Sequence, residues 1–272
     1  MDRRGLVSVR PVLHKYYSHL TLGHVQGETK ALASISGPIE VRLAAEQPSR
    51  ATFEVNVRPL SSLPGTESKG LATSLRGLLS PSLILSRNPR TLIQLVVQSL
   101  TPSTVEGFSP SLVAACINAS TLALLNAGSI PMTSVVCAAA VSWHRPTEEE
   151  ASTLILDPSE AESRDGLGCG CFAFSFTTEI SDSLQLSTSP GARLVWTNWH
   201  AKGGVFGQGE LARAQALGLA GAETVWRTIK QSVPQMDGLP FLLPLGQPES
   251  VAEDDDDIKV SDQESDDAKM EI

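Results

Sequence analysis

A chain of 272 residues with 41% hydrophobic and 5% aromatic side chains carries enough apolar material for one large or two small domains with a real core. Its formal charge of −9 is not spread along the chain: residues 249–272 hold eleven acids against Lys259 and Lys269, the whole excess, and residues 1–248 are neutral. Four scattered cysteines, with no pair at zinc-finger spacing, exclude a zinc-finger scaffold, and no apolar run follows Arg3 and Arg4 as a signal peptide requires. Reduced core cysteines of an intracellular protein are the expectation.

Residues 1–18 read as an extended lead-in, because Pro11 holds Arg10 out of the helical region. From His19 to Val57 the text is strand, turn, strand, broken at Gly23, Gly27 and Gly37-Pro38. In ATFEVNVRP, Phe53, Val55 and Val57 point one way and Glu54, Asn56 and Arg58 the other. Residues 66–85 fit an amphipathic helix with Leu71, Leu75, Leu78 and Leu79 on one face, disturbed at Ser80-Pro81. Thr91–Leu100 is a strand by its β-branched content.

The next element organises the rest. Glu106–Gly128 predicts a helix with Ser109 as N-cap, Pro110 at the first helical position, Gly128 as its end and Pro131 beyond. Leu112, Val113, Cys116, Ile117, Ala119, Leu122, Ala123 and Leu125 leave almost no polar face, so the helix is buried on most sides. Its length would just cross a bilayer, but Asn118, Ser120, Thr121 and Asn126 interrupt it and no charged flank supports a span. A central core helix is expected, and its N-terminus is a natural anion site.

Met132–Trp143 then reads as a buried strand and His144–Ser152 as a charged loop. Leu154–Leu156 and Cys171–Thr177 are strands joined by an irregular acidic, Gly-rich piece, and Leu184–Leu186 and Leu194–Trp196 are short strands. Gln208–Lys230 is the last long helix. Strands alternating with three long helices imply an α+β domain over residues 19–237. Residues 238–248 form a Pro/Gly-rich exit, and 249–272 a disordered acidic tail, because so charged a run buries too little surface to offset its ordering entropy. The tail serves solubility, or interaction through Ser250 and Ser261, each followed three residues on by an acid.

His14, His19, His24, His144 and His200 do not cluster, so neither a metal nor a cofactor is expected. Gly203–Gly209 before a helix matches neither GxxxxGK[ST] nor a strand-led GxGxxG, and reads as a flexible lead-in. No GxSxG, HExxH or Ser/His/Asp arrangement stands out.

The order of the pieces carries more than any one of them. Gly23-His24-Val25-Gln26-Gly27-Glu28-Thr29-Lys30-Ala31-Leu32-Ala33, followed by Ser36-Gly37-Pro38-Ile39-Glu40-Val41, resembles the RNase PH family pattern of G-x-T-x-V-L-A leading into G-P-x-E-V. Leu75-Arg76, Pro89-Arg90-Thr91, Leu122-Ala123-Leu124, Ala127-Gly128, Ile130-Pro131-Met132, Leu156-Asp157-Pro158 and Gly203 to Ala220 follow in that family's order, over roughly residues 6–235. The resemblance implies an RNase PH-like fold (ribosomal protein S5 domain 2-like), a single domain with mixed sheets packed on helices.

Active members of the family are phosphorolytic 3′-to-5′ exoribonucleases, in which a D-G-G-T-R-type loop before the core helix holds the attacking phosphate. Here Glu106-Gly107-Phe108-Ser109-Pro110 stands in that place. Proline replaces the phosphate-binding arginine, and Phe108 crowds the backbone approach, so Phe108, Ser109 and Pro110 read as a degenerate phosphate site. Acids persist in Asp157–Asp165, but the strand expected to bear the last one reads Gly168-Cys169-Gly170-Cys171-Phe172. No catalytic residue is assigned.

The implied role is that of a non-catalytic exosome ring subunit, with other RNase PH-like subunits and S1/KH cap proteins as partners. RNA threads the ring and no membrane is involved. Phe53–Pro59 and Leu63-Pro64-Gly65 also resemble such subunits. RNA contacts are expected at Arg76 and Arg90, with Arg87 and Lys69 nearby, and residence in nucleus, nucleolus and cytoplasm. An active phosphorolytic exoribonuclease and a free-standing nucleic-acid-binding homodimer are the alternatives.

Overall fold

The computed structural model describes residues 7–14, 17–24, 29–60, 63–102, 108–144, 153–177, 191–202 and 207–237, with the side chains of 7–24 and 232–237 excepted. Two five-stranded sheets enclose one helix. The first sheet contains β1 (Val7–His14), β2 (Tyr17–His24), β3 (Lys30–Glu40), β4 (Thr52–Arg58) and β5 (Thr91–Ser99), in the order β1-β2-β3-β5-β4. All its pairs are antiparallel except β4 with β5. The second contains β6 (Val135–His144), β7 (Thr153–Leu156), β8 (Gly168–Thr177), β9 (Gly191–Thr197) and β10 (His200–Ala201). Here β6 lies between β7 and β8, and β9 and β10 both pair with β8.

Helix α2 (Pro110–Ala127) packs against both sheets, on β2, β3 and β5 on one side and β6 and β8 on the other. Sixteen apolar or small residues among eighteen therefore follow from position: a helix between two sheets has no solvent face. Among the described residues it is the one helix long and apolar enough to cross a membrane, and 78% of it is buried within the protein. Its ends are where local chemistry puts them. Ser109 caps the start, and Gly128, at φ 63°, ends it in the left-handed region.

Helix α1 (Thr66–Leu79) lies against the edge strand β4 and buries Leu71, Leu75, Leu78 and Leu79 as one stripe. It stops short of the expected 85, where Ser80–Ser82 tightens into a 3-10 turn around Pro81. Helix α4 (Gln208–Asp237) covers the outer face of the second sheet, with Ala214, Ala222 and Ile229 against Phe172, Phe174 and Phe176.

Other segments also differ from the sequence reading. The lead-in contains β1, paired with β2 from Val7↔His24 to His14↔Tyr17, so it is part of the sheet rather than ahead of it. Pro11 is tolerated there because β1 is an edge strand. The irregular acidic piece contains a short helix, α3 (Glu160–Asp165), started by a capping box between Ser159 and Glu162. The proposed strand Leu184–Leu186 and the acidic tail lie outside the described residues.

Gly37 does not break β3 but passes through it at φ 146°, beside a register shift between Ser36 and Ile39. A Cβ there would stand 2.8 Å from the Leu92 carbonyl oxygen and 3.0 Å from Ile93 Cα, both backbone atoms of the neighbouring strand β5. Gly37→Ala combines that clash with a strained φ and is expected to lower stability by about 3 kcal/mol in urea denaturation.

Candidate functional site

The N-terminus of α2 is the first place where chemistry was expected. A helix start offers four backbone N–H groups without helical partners. Pro110 has none to offer. The N–H of Leu112 donates to Ser109 Oγ at 3.3 Å, and that of Val113 to the Ser109 carbonyl at 2.9 Å. The Ser111 hydroxyl turns away and donates to the Pro158 carbonyl at 2.6 Å, across 47 residues. Pro110, Ser111, Leu112, Val113 and Ala114 are all buried, and Phe108 packs on the core. Phe108, Ser109 and Pro110 thus form a largely buried helix start, where Pro110 lacks a donor and Ser109 accepts those of Leu112 and Val113. Glu106 and Gly107 lie outside the described residues.

The acids after β7 are similarly engaged in structure. Glu162 accepts from the Ser159 N–H at 2.8 Å in the capping box, and Glu160 pairs with Arg164 at 3.2 Å. Asp157, at φ 53°, donates its N–H to the Ala140 carbonyl at 2.8 Å. On β8 the side chains at the expected acid positions are Cys169 and Cys171. All four cysteines are buried. Burial pushes the Cys116 thiol up to about 12. It raises Cys137 and Cys171 too, the latter aided by the nearby Cys116 and Asp157 charges. The Gly-rich lead-in to α4 ends similarly: the Gly207 N–H donates to Glu210 Oε2, so an acid of the chain sits on that helix start.

The four cations expected to meet RNA fall into two groups. Lys69 and Arg76 line a groove of about 580 Å³ between α1 and the free edge of β4. Arg58 joins them there, on the polar face of β4 with Glu54 and Asn56. The strand alternation carried that signal, but which neighbour covers the polar face is a tertiary fact. Arg58, Lys69 and Arg76 are exposed, and none has an ion-pair partner among the described residues. The groove therefore presents three cations against one acid, Glu54.

Arg87 and Arg90 lie elsewhere. Arg87 closes a 3-10 turn before β5, and Arg90, at φ 61°, pairs with Glu46 at 3.3 Å. Both precede Thr91, whereas Arg58 is level with Gln98 at the opposite end of β5. At about 3.3 Å per residue, the seven steps from Thr91 to Gln98 separate these ends by roughly 23 Å.

Comparison with known proteins fits this architecture. Residues 24–129, from the end of β2 through α2, match the model of the 3′ exoribonuclease family, domain 1 (RNase_PH). The chain is 34% identical over 126 residues to the exosome complex component rrp46 of Schizosaccharomyces pombe, covering 46% of this chain and 53% of that protein. It is 33% identical over 146 residues to the exosome complex component RRP46 of Saccharomyces cerevisiae, covering 51% and 63%. The matched stretches thus span about half to three-fifths of these relatives. The crystal structure of rice (Oryza sativa) Rrp46 shares the fold, with a TM-score of 0.66 over 86% of this chain and 96% of that one, at 21% identity. Family match, motif order and fold agree: residues 24–129 match the first domain of the 3′ exoribonuclease family, and the chain has the RNase PH-like fold.

Proposed function

We propose that this chain is a non-catalytic RNase PH-like subunit of an exosome ring, which scaffolds the ring and lines its RNA channel during 3′-to-5′ RNA processing and decay. The observation that carries the catalytic half of this reading is the buried start of α2. Phosphorolysis needs a bound phosphate, and a buried helix start where Pro110 has no N–H and Ser109 takes that of Leu112 offers the anion no cationic side chain and fewer donors. The ring assignment is supported by the likeness to exosome components in two yeasts. Other RNase PH-like subunits and S1/KH cap proteins are the partners in this reading, with residence in nucleus, nucleolus and cytoplasm.

Two measurements test it. Purification from cells at native expression should recover other RNase PH-like chains and cap proteins; their absence would defeat the ring assignment. The purified chain, incubated with tailed RNA and inorganic phosphate, should release no nucleoside diphosphate, and release would overturn the non-catalytic reading.

A sharper prediction concerns Pro110→Arg. The substitution restores a guanidinium at the helix start, but leaves Phe108 packed on the core and β8 without an acid. Catalytic groups that act as a unit are strongly non-additive, so one replacement should give no phosphorolysis above background. Measurable activity would mean that the loop is paired with the wrong family residues.

A further inference from the structure

The described residues hold one thiol–imidazole pair. Cys169 on β8 and His200 on β10 are directly opposite in the antiparallel register, so their side chains share a face. Cys169 Sγ and His200 Nε2 are 3.4 Å apart. The other ring nitrogen, Nδ1, lies 3.3 Å from the Asn198 carbonyl oxygen, which only accepts. That contact places the ring proton on Nδ1 and leaves Nε2 as the acceptor for the thiol proton. The carbonyl thus orients the imidazole as a base toward sulfur.

The surroundings restrict what can reach that sulfur. Cys169 is 3% exposed, while His200 is exposed. Beside the thiol runs β10, a two-residue edge strand held by the pairs His200↔Cys169 and Ala201↔Gly168. Short edge ladders open at low free-energy cost, and a molecule the size of water needs little opening. The segment is close-packed, since a Cβ on Gly170 would stand 2.6 Å from Trp199 Cα, which excludes bulky reagents. The other cysteines differ in kind. Cys116, Cys137 and Cys171 are 0% exposed, and none has an imidazole partner among the described side chains.

We propose that Cys169, with His200 as its base, is a modification site for small hydroperoxides, oxidised by them to the sulfenic acid. Nε2 takes the thiol proton, and the thiolate sulfur attacks the terminal peroxide oxygen. An S–O bond forms and the O–O bond breaks. The leaving oxygen collects the proton from the imidazolium and departs as water or alcohol. Sulfur is oxidised by two electrons, the peroxide is reduced by two, and His200 returns to its starting state. The burial that raises the Cys116, Cys137 and Cys171 thiols keeps those three protonated and slow.

The test uses the purified full chain and hydrogen peroxide; timed samples are denatured into dimedone, so that trapping needs no access to the folded site, and all four cysteines are mapped by peptide mass. Cys169 should acquire the adduct about tenfold faster than any other cysteine. His200→Ala and His200→Gln should each slow it by about a hundredfold, the range in which a positioned base contributes. Free imidazole should recover part of the rate in His200→Ala, which a purely structural role would not permit. Labelling spread over several cysteines, confined to another one, or absent altogether overturns the proposal, as does undiminished labelling in both variants.

Discussion

Asn118→Leu should lower the stability of this protein by about 4 kcal/mol in urea denaturation, the cost of two buried hydrogen bonds and two abandoned backbone groups. Asn118 stands in the middle of α2 and is 4% exposed. Its amide donates to the Ala138 carbonyl at 2.9 Å, and its side-chain oxygen accepts the Ala138 N–H at 2.8 Å. Ala138 needs this because β7 reaches only Val141–His144 of its edge of β6. Beyond that point other groups stand in for a strand. Asp157 N–H meets the Ala140 carbonyl, Asn118 meets both groups of Ala138, and Thr121 Oγ1 donates to the Val136 carbonyl at 2.7 Å. The core helix is thus a side-chain edge strand for the second sheet. Leucine fills the space of asparagine but leaves Ala138 with a buried donor and acceptor and no water. Thr121→Val should cost less, about 1.5 kcal/mol, because it orphans a single acceptor. Ser120→Ala supplies the control. That hydroxyl only donates to the Cys116 carbonyl of its own helix, at 2.6 Å, so its loss should stay within about 0.5 kcal/mol. If Asn118→Leu falls within the range of Ser120→Ala, the edge-capping role is wrong.

The same residues show why some of this protein could be read from its sequence and some could not. The ends of α2 depend on neighbours within four positions, so Ser109, Pro110 and Gly128 could be placed directly. The leucine stripe of α1 and the alternation of β4 have a period, and period is local. Asn118 and Thr121 looked like blemishes in an apolar helix because their partners lie 20 and 15 residues away on a strand edge. The capping box Ser159–Glu162 was legible, but the glycines and acids around it obscured a helix of six residues. The β1–β2 pairing, the placing of Arg58 in one groove with α1, and the meeting of Cys169 with His200 are products of tertiary pairing, which single residues do not encode. For the candidate site, the proline where the family pattern has a cation was readable at the start of α2. The contact of the Ser111 hydroxyl with the Pro158 carbonyl, across 47 residues, was not.

Replacing Arg58, Lys69 and Arg76 together by Gln should weaken single-stranded RNA binding about a hundredfold at 0.1 M salt. The dependence of log K on log salt should become shallower by roughly 2, since each neutralised phosphate contributes about 0.7 for single strands. Fluorescence anisotropy titrations of the purified chain at several salt concentrations give both numbers. Charge and access set these values. These three cations line one groove, are exposed and have no ion-pair partner among the described residues, so a phosphate need not displace anything to reach them. Arg90 must first leave Glu46, although an exposed pair of that kind is worth only about 0–1 kcal/mol. Arg87→Gln with Arg90→Gln should therefore have the smaller effect. A larger loss from that pair than from the triple change would move the RNA path to the opposite end of β5. Binding should not distinguish one base from another, because phosphate contacts carry no sequence information. Glu54 supplies the opposite sign. It is the groove's single acid, and a carboxylate beside a phosphate path repels it. Glu54→Gln should tighten binding about threefold at low salt and lose that advantage as salt screens the charge. Loss of affinity on removing that acid would mean that Glu54 holds the cations in place, and that phosphates are not what the groove attracts.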